Sequence, residues 1–275
     1  MRKKSYLIGI NAHPTAALVW LYVVAPIALV VGLYQIDSAV YLAANPNGKI
    51  VPSLSMMAER IWELAFTQDP RTHTYLLWSD TAASLYRFAT GLALAAVVGL
   101  LLGLNIALFP ALQYILLPGV VALSFVPMMA LLPILLIVVG IDDAAKITLI
   151  FLGVVFFITR DIYGTTREIP QELLVKARTL GASELALVYR VVLPMVMPRL
   201  LETVRQSLGV AWWALIASEG IAATEGLGYR IFLVRRYFDM AAIIPYVLWI
   251  TFLAFAIYSV LQLAERRLYP WKVEN

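Results

Sequence analysis

The stretch LYRFATGLALAAVVGLLLGLNIALF, Leu85 to Phe109, holds a single charged side chain, Arg87. A bilayer's hydrocarbon core is about 30 Å thick, and a helix needs about 20 apolar residues to cross it. This run is long enough and apolar enough to do so. Five further runs read the same way: Ala16–Tyr34, Leu112–Val139, Lys146–Tyr163, Leu200–Ala222 and Ala242–Leu263. The expected fold class is therefore an all-α membrane protein with about six transmembrane helices.

Composition supports that class. Apolar residues make up 62% of the 275-residue chain and charged residues 14%. Soluble domains carry about 45–50% and about 25%. There is no cysteine, which excludes disulfides, thiolate metal sites and cysteine nucleophiles. His13 and His73 lie apart, outside the apolar runs, and read as solvated or interfacial. No metal, cofactor or nucleic-acid site is expected, and the net charge of +4 is assigned to loops beside the membrane.

The first run follows Arg2, Lys3 and Lys4 but is longer than the about 7–15 residues of a signal sequence, so it is expected to remain as an anchor. Residues 1–83 then form an N-terminal anchor and extracytoplasmic segment. Residues 84–263 form the core helices, with a loop at 160–199, and residues 264–275 a cytoplasmic tail. Within the first part, Met57, Ile61, Leu64 and Ala65 fall on one face of an amphipathic helix near Ser53–Thr67, which packs on the bundle or on the membrane surface. Pro118, Pro127 and Pro133 predict a kinked third span, packed within the bundle or lining a pathway. Ser124 and Met128, beside the kink, are candidate lining residues.

Twelve of the 21 lysines and arginines fall in segments on the side of the N-terminus and the 160–199 loop, seven on the other. This bias places both termini in the cytoplasm, with Arg230, Arg235 and Arg236 opposing it.

The 160–199 loop is the longest charged stretch on the inner side. Pro170 suits a first helical turn, and Glu172, Leu173, Leu174, Ala177 and Leu180 follow at helical spacing. Gly181 ends that helix, and Ser183 can cap a second short one with Leu185 and Val188 on its apolar face. Two short helices around a glycine turn make a knob suited to a groove on a partner protein.

This segment resembles the EAA loop of binding-protein-dependent ABC importer permeases. The family pattern is Glu-Ala-Ala, three residues, Gly, nine residues and Ile-x-Leu-Pro. Here those positions are Val175, Lys176 and Ala177, then Gly181, then Val191, Val192, Leu193 and Pro194. The spacing matches throughout and the first two residue types differ. Ala217–Ile231, Pro127–Pro133 and the tail LAERRLYPW resemble the nitrate/sulfonate/taurine subgroup. YLLWSDTAASL and IFLVRRYFDM resemble its branch associated with urea carboxylase, which handles guanidine-like compounds.

The resemblance covers about Leu76 to Trp271. It implies an inner-membrane permease for a small nitrogen- or sulfur-containing solute. A second permease copy, ATP-binding cassette subunits and an extracytoplasmic binding protein would be its partners. It also implies that Glu172, Lys176, Ala177, Arg178, Gly181, Ala182, Leu193 and Pro194 couple to the ATPase. The chain has no GxxxxGK[ST] loop and is not read as an enzyme.

Charges inside spans are costly and face protein or water. Glu219 is the sharpest case: it lines the pathway, or it pairs with an arginine. Trp212 and Trp213 are pathway candidates too, against the reading as packing or interfacial anchors. The alternative class is a secondary transporter or channel, which would more often carry an internal repeat.

Overall fold

A computed structural model describes residues 15–46, 48–70 and 72–273. Arg2, Lys3, Lys4, His13 and Arg71 lie outside the described residues. Those that are described form helices, turns and connections, with no strand among them.

Helix α1 (Ala16–Ala44) leads to α2 (Leu54–Phe66), whose N-cap Ser53 accepts from the Met56 amide. Met57, Leu64 and Ala65 are the buried face of α2, which packs against α11 and α3. The bundle therefore takes the amphipathic face predicted from spacing. α3 (Leu76–Leu108) is continuous over 33 residues, so the boundary drawn at 83/84 falls inside it. Its first turns carry Ser79, Asp80 and Ser84, whose polarity hides the helix start.

α3 and α6 (Asp143–Arg167) form the most extensive helix pair in the chain. The reason is a stripe of small residues on α3 at four-residue spacing: Gly91, Ala95, Gly99 and Gly103. A Cβ at Gly91, Gly99 or Gly103 would come within 2.8, 2.7 and 2.8 Å of Ile150, Ile158 and Ile162. In lipid, helices associate by van der Waals contact, and small residues let the backbones approach.

The third span is broken. α4 (Pro110–Leu123) and α5 (Met128–Val138) meet at an angle of 100°. The expected kink is thus an elbow. Pro118 and Pro133 sit inside the two helices, and Pro127, lacking an amide hydrogen, stands at the N-cap of α5.

α7 (Gln171–Thr179) and α8 (Glu184–Leu187) form the knob. The second knob helix is not separate, as the spacing predicts, but runs on. A π turn at Val188–Val192 joins it to α9 (Leu193–Ala222), which therefore begins before Leu200. Pro194 cannot donate to the Arg190 carbonyl, and the Leu193 amide reaches back to the Val188 carbonyl instead. α10 (Leu227–Arg235), α11 (Met240–Leu268) and α12 (Pro270–Val273) complete the chain.

α1, α3, α6 and α11 are long and apolar enough to cross a membrane, and the bent pair α4–α5 counts as a fifth where it is taken as one span. α9 has the length of a span, but Arg199, Glu202, Arg205 and Glu219 lower its apolarity. None of the apolar window of α1 is buried within the chain. Near its C-terminal end that helix is tied to the segment leading into α2, where Tyr34 donates to the Pro52 carbonyl and Ser38 to that of Val51.

Candidate functional site

A buried polar clasp joins α3, α6, α9, α10 and α11. Glu219 is fully buried. Its carboxylate accepts from Arg87 Nη1 at 2.8 Å, from Ser84 Oγ at 2.8 Å and from the Gly228 amide at 2.9 Å. Arg87 also donates through Nε to Asp143 at 2.7 Å and through Nη1 to the Glu225 carbonyl at 2.9 Å. Asp80 accepts from Arg230 Nε at 2.7 Å, the Gly226 amide at 2.9 Å and the Tyr246 hydroxyl at 3.1 Å.

The amides of Gly226, Leu227 and Gly228, at the start of α10, are thus taken by Asp80, Ser84 and Glu219 in turn. Gly226 has φ +124°, and a Cβ there would lie 2.5 Å from Glu219 Oε1, so only glycine fits. Burial alone would depress the Arg230 guanidinium, but Asp80 outweighs it and holds the group above the usual arginine value. Arg230 therefore belongs to the clasp, while Arg235 and Arg236 lie further along, at the end of α10.

Nothing in the sequence pattern singled out Asp80, Ser84, Tyr246 or the Gly226–Gly228 turn. A signal was present: Asp80, Ser84 and Arg87, at four- and three-residue spacing, form one polar stripe on an otherwise apolar helix. Trp212 is buried and stacked on Phe88 with ring centroids 4.5 Å apart. Trp213, one residue on, is exposed. Glu219 and Trp212 thus sit on the packed face of α9 and Trp213 on its open face.

At the elbow, Ser124 donates to the Val121 carbonyl and accepts from Arg160 Nη1 at 2.9 Å. The Arg160 guanidinium carbon stands 5.9 Å from the Phe125 ring centroid. Met128 is half-buried, on the side of the elbow facing Gly153. Ser124 and Met128 are therefore neighbours at the break, well apart in sequence from the clasp.

Below the elbow lies a cavity of about 710 Å³, lined by Arg160, Asp161, Glu168, Arg199, Glu202 and Trp271 among others. Arg199 grips Asp161 through two hydrogen bonds, of 2.7 and 2.6 Å, and stands 3.3 Å from Glu202. Thr203 also donates to Asp161. Further toward the knob, Lys176, Ala177, Leu180, Arg190, Pro194 and Trp271 border a second cavity of about 510 Å³.

The knob is fixed by its own backbone. The Gly181 amide bonds the Arg178 carbonyl and the Ala182 amide that of Ala177, with Gly181 at φ +86°. This is the Schellman closure that favours glycine. Ser183 caps α8 through the Ala186 amide, and Arg178 binds Glu184 across the turn with two bonds of 3.1 Å. Leu180 at the tip is 88% exposed, and Leu185 beside it 72%. Glu172, Lys176 and Arg178 are exposed on α7, Ala177 and Ala182 are half-buried, and Leu193 and Pro194 stand at the start of α9.

Several apolar spans, charged clasps between them and a knob with an exposed apolar tip define a polytopic membrane protein. Residues 81–273 match the family described as binding-protein-dependent transport system inner membrane component, and the chain belongs to that family. It is 33% identical over 198 residues to the taurine transport system permease protein TauC of Escherichia coli (strain K12), covering 72% of each chain. It is 30% identical over 233 residues to the putative aliphatic sulfonates transport permease protein SsuC of the same organism, covering 83% and 86%. Its fold matches a chain of the MetNI methionine ABC transporter, in inward-facing conformation, with TM-score 0.55 and 22% identity over 73% of this chain and 97% of that one.

The chain is accordingly an inner-membrane permease subunit of an ABC importer. In this family ATP hydrolysis belongs to partner subunits, and solute arrives on a binding protein.

Proposed function

We propose that this permease imports a small sulfur- or nitrogen-containing solute, of the kind carried by its taurine and sulfonate relatives, and that the α7–Gly181–α8 knob receives the ATPase. The observation that carries the reading is the exposed Leu180–Leu185 tip on a turn whose hydrogen bonds are complete without it. An apolar tip on a rigid turn is what a partner's groove can hold.

The same reading places both termini in the cytoplasm. Trp271, near the C-terminus, borders the same cavity as Lys176 and Leu180, which supports a C-terminus on the knob side. A second copy of the chain would complete the translocation path. Ser124, Met128 and Trp213, on open or half-open faces, are assigned to lining it, and Trp212 and Glu219 to holding its helices together.

The chain has no cysteine, so a single cysteine at Leu180 can be crosslinked to a bound ATPase without background. The complex should crosslink there, and cells lacking other taurine and sulfonate importers should accumulate labelled taurine or methanesulfonate when they make it. No crosslink at Leu180 would overturn the docking assignment. Accumulation of labelled guanidinium in place of either would overturn the solute assignment.

A further inference from the structure

Most charges in the helices of the bundle are matched. Arg87 meets Asp143 and Glu219, Lys146 meets Asp143, Arg199 meets Asp161 and Glu202, and Arg205 meets Glu265. Arg160 differs. It lies seven residues before the end of α6, and its polar partner is the neutral Ser124 hydroxyl. It forms no ion pair among the described residues. Its guanidinium is exposed, held over Phe125, which is itself 75% exposed.

The group stands at the elbow end of the 710 Å³ cavity. The lining as a whole is not positive, since Asp161, Glu168 and Glu202 outnumber Arg160 and Arg199. The acids are distributed unevenly, however. Asp161 and Glu202 are engaged by Arg199, and Glu168 caps the far end of α6, about 12 Å of helix rise from Arg160. The positive charge at the elbow is left without a counter-ion, and a planar guanidinium presents paired donors that match a sulfonate or carboxylate. Glu219 offers no opposing field to a passing solute, because Arg87 neutralises it.

We propose that Arg160 is the residue that selects solute charge in the inner cavity, favouring an anionic head group such as a sulfonate. This rests on the taurine- or sulfonate-like solute proposed for the chain. Charge within a narrow pathway selects by sign. The aromatic ring and the serine hydroxyl hold the guanidinium without neutralising it, so its charge remains available.

The test uses Gly164→Cys, one turn along α6 from Arg160 and lining the same cavity, where a Cβ meets nothing within 4 Å, as the only cysteine in the chain, in the assembled transporter. Its rate of modification is measured with an anionic methanethiosulfonate sulfonate reagent and a cationic trimethylammonium one, each relative to its rate with a free thiol. With Arg160 present the anionic reagent should be favoured. Arg160→Gln should lower that preference about tenfold, as expected for a unit charge about 6 Å away in a water-like dielectric, and Arg160→Lys should restore most of it. A preference unchanged by Arg160→Gln would overturn the assignment.

Uptake separates the role of Arg160 from the function of the permease. If the intact permease takes up an anion and Arg160→Gln, assembled to the same yield, takes it up equally fast, the Arg160 assignment falls and the permease function stands. If the intact permease takes up guanidinium and no anion, the Arg160 assignment and the sulfonate-type solute fall together, and the permease class stands.

Discussion

Arg87 and Glu219 meet at 2.8 Å with both side chains almost wholly removed from solvent, one on α3 and one on α9. The pair is charged but closed: the carboxylate accepts from Ser84 and Gly228 as well, and the guanidinium also holds Asp143 and the Glu225 carbonyl. Removing one partner of a buried pair leaves the other charge uncompensated. Glu219→Gln should therefore cost about 2–4 kcal/mol of stability, less than the loss of a fully isolated pair because Asp143 remains on Arg87. The expected result is a lower melting temperature and a lower membrane yield, with solute affinity of the binding protein unchanged. A stable Glu219→Gln protein with impaired uptake would instead assign Glu219 to the pathway.

The α3–α6 seam should be intolerant of bulk. At Gly99 an added Cβ already lies 2.7 Å from the Ile158 side chain, so Gly99→Leu must separate the helices. Overpacking of this kind costs about 1–3 kcal/mol. Protease resistance of the purified chain should fall, while Gly32→Leu, where a Cβ meets nothing within 4 Å, should leave it unchanged. Equal resistance in both variants would refute the seam's role.

Gly181 tests the knob. A Cβ there meets nothing within 4 Å, so the constraint is the positive φ alone. A left-handed conformation costs an L-residue about 1–2 kcal/mol, and asparagine tolerates it best. Gly181→Val should insert and fold but co-purify poorly with the ATPase, and Gly181→Asn should retain most of the binding. Normal ATPase recovery with valine would show that the turn geometry is not what the partner reads.

Topology gives a further check. A reporter fused after Asn275 should read as cytoplasmic and one inserted at Asn47, which lies outside the described residues, as extracytoplasmic. The reverse pair of signals would invert the bundle and place the knob on the wrong side for an ATPase.

The spans and the knob could be read from sequence because each depends on local pattern. Apolar length marks a crossing helix, and Ser183 and Gly181 mark a cap and a turn wherever they fall. The clasp could not be read in the same way. Glu219 stands more than 130 residues from Ser84 and Arg87, and only the packing of α3 against α9 brings them together. The elbow was half legible: three prolines announced a distortion, but a proline in a membrane helix can end as a kink or a break. Arg160 was hidden by its usefulness elsewhere, since a basic residue near the inner end of a span serves as well for orientation as for chemistry.

The π turn at Val188–Val192 leaves no gap between the knob and the long helix above it. From Glu184 to Glu219 the chain is one helical shaft, about 50 Å long at 1.5 Å per residue. Its lower end carries the apolar tip, and its upper end is gripped by the clasp on α3 and α10. Any displacement of the tip that the wider π turn does not absorb would therefore reach the Glu219 end of the same helix.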